Sequence, residues 1–450
     1  MKATSWYAAL VLLGSPVAAQ QPLTIADAVA RAERVHPAVA AAVAGQARAA
    51  SGRAEAEASR LPVLSLDANA TQHAEPMVVA PLHGFDPLDP PEFERTLFQA
   101  GLNLSYTLFD GGARGARIGR AERLETAAGA VARATRQALA AQVASAYLRV
   151  LARREQLDAQ RARLSAVTGE RARAALLFAE GRAARLVSLR AEAAVSAAAA
   201  DTVDGAGQLD VAERVLARLL ALEADTLRAL ALAPVRAASP AAVVAPPGGE
   251  RPNDVVLEIA LGHNPEVARA RAQLDAARRG VGEARALWLP RLQLGARYVE
   301  YASSAGREAG EWQTGIQVGY PLFTGGARTA ARDRAEAEVA AAGAELRSVE
   351  LRVADAVDGA LSAWASAAAR ATALEGALAQ ASEVVRIEKL ALDEGAGVQT
   401  DYLAAEAELL RMRSALTDAR YAVLLARVEL ARVTGELGSD WLRTNLESGR

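Results

Sequence analysis

A seven-residue segment occurs twice and constrains the chain more than anything else in it. Leu108-Phe109-Asp110-Gly111-Gly112-Ala113-Arg114 returns as Leu322-Phe323-Thr324-Gly325-Gly326-Ala327-Arg328, 214 residues later. Each copy closes a stretch in which apolar and polar residues alternate, and opens a long Ala/Arg/Glu stretch that contains no proline. Asp110 and Thr324 suit helix N-capping, because a side-chain oxygen accepts from the first free backbone N–H groups. The pairs Gly111-Gly112 and Gly325-Gly326 allow a sharp turn. The segment therefore reads as strand, turn and very long helix, twice over.

Other landmarks repeat with it. His36-Pro37 corresponds to Asn264-Pro265 and Leu61-Pro62 to Leu289-Pro290, both at a shift of 228. Glu180-Gly181 with Glu394-Gly395, and Ala191-Glu192 with Ala405-Glu406, keep the shift of 214. The difference puts a 14-residue insertion between Pro62 and Leu108 of the first copy. It carries Pro76, Pro81, Pro87, Pro90 and Pro91 and is expected to be a loop. Five regions follow: a signal peptide at 1–19, a first repeat at 20–233, a proline-rich linker at 234–252, a second repeat at 253–437, and a flexible tail at 438–450.

Each repeat is expected to open with a helix bent at Pro37 or Pro265. Two strands follow. Phe98, Ala100, Leu102, Leu104, Tyr106 and Leu108 alternate with Gln99, Gly101, Asn103, Ser105 and Thr107. The second copy sets Trp312, Thr314, Ile316, Val318, Tyr320 and Leu322 against Gln313, Gly315, Gln317 and Gly319. A period of two gives one apolar and one polar face. Strands of roughly 9–11 residues are long enough to cross a bilayer.

No proline lies between Pro91 and Pro234 or after Pro321. A helix from Gly112 to Ala179 would be about 100 Å long at about 1.5 Å per residue. In the second copy Val357, Trp364, Ala371, Leu378, Val385 and Leu392 recur every seven residues, and the first copy shares this register except at Arg171. That is the seam of a coiled coil. Glu180-Gly181 and Glu394-Gly395 end the long helices, and a return helix follows each.

Composition removes several function classes. There is no cysteine, so thiol catalysis, Cys-ligated metal and disulfides are absent. A net charge of −2 offers no polyelectrolyte partner, and nucleic acid is not expected. Of the four histidines, His73 and His83 lie in the insertion near Asp86 and Asp89, a weak metal set better read as a solvated loop. No phosphate-loop, HExxH or GxSxG pattern occurs. No enzyme, cofactor or metal is expected. Lys2, the apolar run from Tyr7 to Leu13 and Val17-Ala18-Ala19 have the form of a cleaved export signal.

Four amphipathic strands cannot close a barrel, and an open sheet edge in lipid leaves backbone groups unpaired. Barrels in outer membranes start at eight strands, so two or three copies would suffice. An exported coiled-coil structural or adhesin-like protein shares the leader and the helices, but has no use for four membrane-length strands.

The ordered set of helix, strand pair, LFxGG junction, long helix, Gly break and return helix, all duplicated, resembles the TolC-like outer-membrane efflux protein family from about Pro22 to Leu437. The resemblance implies a mainly α fold with a membrane β-barrel portion: a homotrimer with a twelve-stranded barrel continued by an α-helical tunnel into the periplasm. It implies an exit duct that meets a periplasmic adaptor and an inner-membrane efflux pump or ABC transporter. The family's entrance and docking tips fall at Glu180, Gly181, Glu394 and Gly395. Of its two entrance aspartates, the first falls on Asp401 and the second on Ala404. Its latching tyrosine and arginine fall on Leu392 and Gly397, and their partner on Val187, so that latch is not reproduced.

Overall fold

The computed structural model describes residues 22–84, 87–88, 90–235, 252–306 and 308–446. The signal peptide expected at 1–19, nearly all of the linker, and Asp86 and Asp89 lie outside the described residues.

In the first half, helices α1 (Ile25–Val35) and α2 (Pro37–Ala58) lead into strands β1 (Val63–Val78) and β2 (Phe93–Phe109). Helices α3 (Ala113–Ala179), α4 (Arg185–Leu219) and α5 (Ala224–Ala229) follow. The second half runs α6 (Pro252–His263), α7 (Pro265–Ala286), β3 (Arg291–Ser303), β4 (Glu308–Gly319), α8 (Ala327–Asp393), α9 (Gln399–Thr434) and α10 (Ser439–Leu446).

The opening helix of each half is broken rather than bent. Pro37 and Pro265 each stand at the first helical position, where a missing N–H costs nothing. The residue before each caps the new helix. His36 Nδ1 accepts from Ala38 N at 3.2 Å, and Asn264 Oδ1 accepts from Glu266 N at 2.8 Å.

The strands form one antiparallel sheet in the order β1-β2-β3-β4, with β1 and β4 at open edges. Its register keeps like with like. Leu66, Leu102, Tyr298 and Trp312 make one transverse row, and Ser65, Asn103, Arg297 and Gln313 make the next row on the opposite face. On the apolar face Leu66, Trp312, Ile316 and Val318 are each more than three-fifths exposed in the single chain. On the polar face the Asp67 carboxylate leans across Gly101 to Asn103 and to Arg297, 3.7 Å away.

The insertion is only partly a loop. β1 continues through Pro76 to Val78, and its pairing with β2 skips between Gln72 and Met77. An edge strand tolerates proline at such an irregularity because no ladder donor is lost there. The remaining connection folds back on the sheet. Val79 N donates to Glu92 O at 3.0 Å, Ser303 Oγ donates to Glu92 at 3.2 Å, and His83 Nε2 lies 3.5 Å from Glu311 on β4.

α3 and α8 have 67 residues each, so both span about 100 Å. Along α8 the heptad stripe is buried at Val357, Val385 and Leu392 and half-buried between. Along α3 it holds at Val143, Val150 and Leu157, then moves to Val167 and Ala174. The seam has slipped three positions, which leaves Arg171 and Phe178 exposed. A straight helix drifts against a strict seven-residue repeat, and such slips reset it.

Where α1, α3, α4, α5, α9 and α10 meet, the main core forms. Tyr147 is fully buried there, and its hydroxyl lies 2.7 Å from Leu23 O and 2.8 Å from Ala233 O. It so ties the start of the described chain to the segment after α5, where Leu23 and Leu232 form a parallel bridge. The C-terminal tail, expected to be flexible, departs from that reading. Ser439–Leu446 is helix α10, and Leu442 and Leu446 enter the core beside Ile25 and Val29 with no exposed surface. Leu442 and Leu446, spaced by four, with Trp441 beside them, bind one face of this short helix. Leu442→Ala should therefore destabilise the protein by about 2–5 kcal/mol, as for other buried leucines. The check is the denaturant midpoint of the detergent-solubilised protein, which a frayed tail would leave unmoved.

Candidate functional site

Two places in each half carry the features singled out in the sequence: the turn from strand to long helix, and the tip of the helical hairpin.

At the first strand–helix turn Gly111 and Gly112 have φ of +68° and +88°, in the left-handed region. A side chain at Gly111 would also strike Leu289 Cβ at 2.8 Å and Ala286 O at 2.9 Å, because α7 packs tightly against α3 there. Asp110 is buried, and its two carboxylate oxygens are both used. Oδ1 accepts from Gly112 N at 3.1 Å; Oδ2 accepts from Arg114 N at 2.9 Å and Arg114 Nε at 3.1 Å. The capping expected of Asp110 thus exists, set two residues before the formal N-cap.

The second turn copies the backbone but not the chemistry. Gly325 and Gly326 have φ of +59° and +84°. Thr324 occupies the place of Asp110 and makes no capping bond. A threonine hydroxyl does not reach as far as a carboxylate and cannot accept at two oxygens. Arg328 instead stacks over Trp288 and Tyr320, 4.7 Å and 5.8 Å from the ring centroids.

The hairpin tips are near-copies. Gly181 and Gly395 have φ of +73° and +77°. Arg182 N donates back to Leu177 O at 2.8 Å, and Ala396 N to Ala391 O at 2.9 Å, so each glycine closes its long helix with a left-handed cap. Glu180 lies 3.3 Å from Arg182. Glu394 and Asp401 are exposed, and Asp401 stands in the first turn of α9, where the helix dipole favours a carboxylate.

Sequence reasoning missed what joins the two hairpins just inside those tips. Glu170 on α3 accepts from Gln399 Nε2 of α9 at 3.0 Å, a buried bond. Arg173, 3.3 Å from Glu170, donates to the carbonyl of Leu392 and lies 3.9 Å from Asp393. Tyr402 is buried beside them and donates to Glu406 at 3.1 Å. Burial first, and the Glu406 carboxylate second, push the Tyr402 hydroxyl far above its ordinary pKa, so it stays a neutral donor. Leu392 serves through its backbone, which no side-chain motif records. Gln399 beside the Gly395–Gly397 break carries no pattern that marks it, so the sequence offered no signal.

These features lie at the two ends of the folded chain. One end is a sheet with one apolar and one polar face and two open edges; the other is a pair of helical hairpins of equal length. The family model described as outer membrane efflux protein matches residues 28–222 and 256–436. The chain belongs to that family, whose members are outer-membrane channels with helical parts in the periplasm. It is 28% identical over 336 residues to the alkaline protease secretion protein AprF of Pseudomonas aeruginosa, an alignment covering 70% of this chain and 66% of AprF, just under two thirds of that relative. It is 25% identical to the outer membrane protein TolC of Vibrio cholerae, over 77% of this chain and 78% of TolC. The fold matches the crystal structure of the outer membrane protein VceC of Vibrio cholerae with a TM-score of 0.77 at 22% identity, over 91% of this chain and 96% of VceC.

The unequal turns give a direct comparison. Asp110→Ala removes a buried carboxylate with three bonds and should destabilise the protein by about 1–3 kcal/mol. Thr324→Ala should change stability by about 0.5 kcal/mol or less, as for surface substitutions. Denaturant melts of the two variants in parallel would check both.

Proposed function

We propose that the protein is the exit duct of a tripartite efflux or type I secretion system. Three copies complete a twelve-stranded barrel and a continuous helical tunnel. The duct passively conducts what a periplasmic adaptor and an inner-membrane pump or ABC transporter hand to it. The observation that carries this reading is the unfinished sheet. Its exposed apolar face suits lipid and its polar face suits water, while both edges offer unpaired backbone groups that lipid would not tolerate.

The internal repeat supplies a register for the missing seam. Within the chain β2 pairs with β3, so that Leu102 faces Tyr298 and Asn103 faces Arg297. Shifting β2 by 214 and β3 by 228 turns this into β4 of one copy against β1 of the next. Ile316 then faces Ala70, Gln317 faces Asn69 and Val318 faces Ala68. Apolar residues meet apolar and polar meet polar with no adjustment, and a slip of one residue would invert every pair.

At the far end, the tips at Glu180, Gly181, Glu394 and Gly395 form the rim that meets the adaptor. Three Asp401 carboxylates stand near the entrance and favour cations there, in support of which Asp401 is exposed and carries no ion pair among the described residues. The Glu170–Arg173–Gln399 link takes the place of the family latch that Leu392, Gly397 and Val187 do not reproduce.

Two measurements test this reading. The chain has no native thiol, so Ile316→Cys with Ala70→Cys should form a disulfide between copies and yield covalent trimers on a denaturing gel. Ile316→Cys with Ala68→Cys, one diagonal away, should form far less. In planar bilayers Asp401→Ala should lower cation selectivity and weaken block by trivalent cations; conduction identical to wild type would remove Asp401 from the entrance.

A further inference from the structure

We propose that the second strand–helix turn is a binding site for a phosphate-type oxyanion, centred on Arg328 and Arg291. The inference takes the first turn as its template. There a carboxylate, that of Asp110, sits on Gly112 N, Arg114 N and Arg114 Nε within 3.1 Å. The equivalent groups, Gly326 N, Arg328 N and the Arg328 guanidinium, exist in the second turn with the same backbone signs. The carboxylate does not, because Thr324 replaces Asp110. The chain thus contains one oxyanion cradle with its anion built in and one without.

Three further observations point to an external ligand. Arg328 Nη1 is out of reach of solvent and has no hydrogen-bond partner, although Arg328 Nη2 donates to Leu322 O at 3.3 Å. A buried guanidinium N–H without an acceptor is costly unless something fills the position. Arg328 and Arg291 line one cleft of about 660 Å³, together with Gln293, Gln317, Tyr320 and Thr324. Among the described residues no carboxylate lies within ion-pair distance of either arginine, whereas Arg114 at the first turn is paired with Asp110.

Assembly would add charge of both signs. This step rests on the trimeric reading. Gly111 packs against Ala286 and Leu289 in the chain, so the repeat sets Gly325 against Ala58 and Leu61 of the next copy. The segment 58–65 of that copy carries Arg60 and no acid. A second copy therefore narrows the cleft and brings Arg60 toward the turn, while the register sets Asp67 of that copy opposite Gly319, in the row of Arg291 at the strand end of the cleft. Guanidinium groups bind phosphate oxygens in pairs, and free N–H groups at the start of a long helix reinforce them.

The location narrows the class. The cleft lies at the inner ends of β3 and β4, flanked by Trp288 and Tyr320, the residue types that gather at a membrane–water boundary. A phospholipid headgroup and free phosphate present the same oxyanion there. A structural cluster that merely stacks on aromatic rings would bind neither.

Native mass spectrometry of the full-length, detergent-solubilised protein tests the site with two probes, phosphatidylglycerol and inorganic phosphate. Wild type should retain up to one ligand per subunit. Arg328→Gln should retain at least tenfold less. Thr324→Asp should do the same while keeping its fold, because it installs the carboxylate the chain already uses at Asp110. Retention of lipid assigns the site to a headgroup, and retention of phosphate alone assigns it to a soluble oxyanion; either one lost in Thr324→Asp supports the proposal. Equal retention by all three proteins, or none by wild type, overturns it. The same spectra count subunits, so failure of the trimer is read separately from failure of the site.

Discussion

Backbone hydrogen bonding at a sheet edge governs this structure. Within the chain β2 and β3 have partners on both sides, whereas β1 and β4 have one each. In water an edge strand can bond to solvent. In lipid each unpaired N–H or C=O costs several kcal/mol. The row Leu66, Leu102, Tyr298 and Trp312 suits the sheet to lipid, and in the proposed trimer its own copies would pair the open edges. The long helices inherit that arrangement through the Gly-Gly turns. Each helix leaves its strand in a direction fixed by two residues in the left-handed region.

In the proposed trimer, duplication would let one set of contacts build the wall. The β2–β3 seam inside the chain would serve there as a working copy of the seam between chains. The same holds for the packing of Gly111 on α7. Where the copies differ, the difference carries information. Asp110 and Thr324 are separated by one substitution, and it changes the local charge from balanced to positive. The slipped seam of α3 against the regular stripe of α8 is a second case.

Much of this was legible in the residues alone, for a physical reason. Period-two strands, proline-free helices and Gly turns are local, so local rules find them: the expected end of the first long helix at Ala179 is its end, although β2 begins five residues before Phe98 and β4 ends three residues before Leu322. The order of elements also identified the family. Less legible was whatever depends on residues far apart. The Glu170–Gln399 bond joins side chains more than 200 positions apart, and neither has a pattern around it. Arg173 reaches a backbone carbonyl, which every residue possesses. The C-terminal helix was hidden by its polar composition, since Leu442 and Leu446 gain meaning only beside Ile25 and Val29. Pro76 sits among clustered prolines that signal a loop; at a sheet edge, across a skipped pair, a strand can still hold proline.

The identical length of α3 and α8, 67 residues each, has a geometric corollary. Gly181 and Gly395 are reached after the same climb, so neither hairpin overhangs the other. In a threefold assembly the mouth would then show six almost interchangeable loops about 60° apart, although the barrel above it repeats only every 120°. Any ring that caps such a mouth meets a surface with twice the apparent symmetry of the chains that make it.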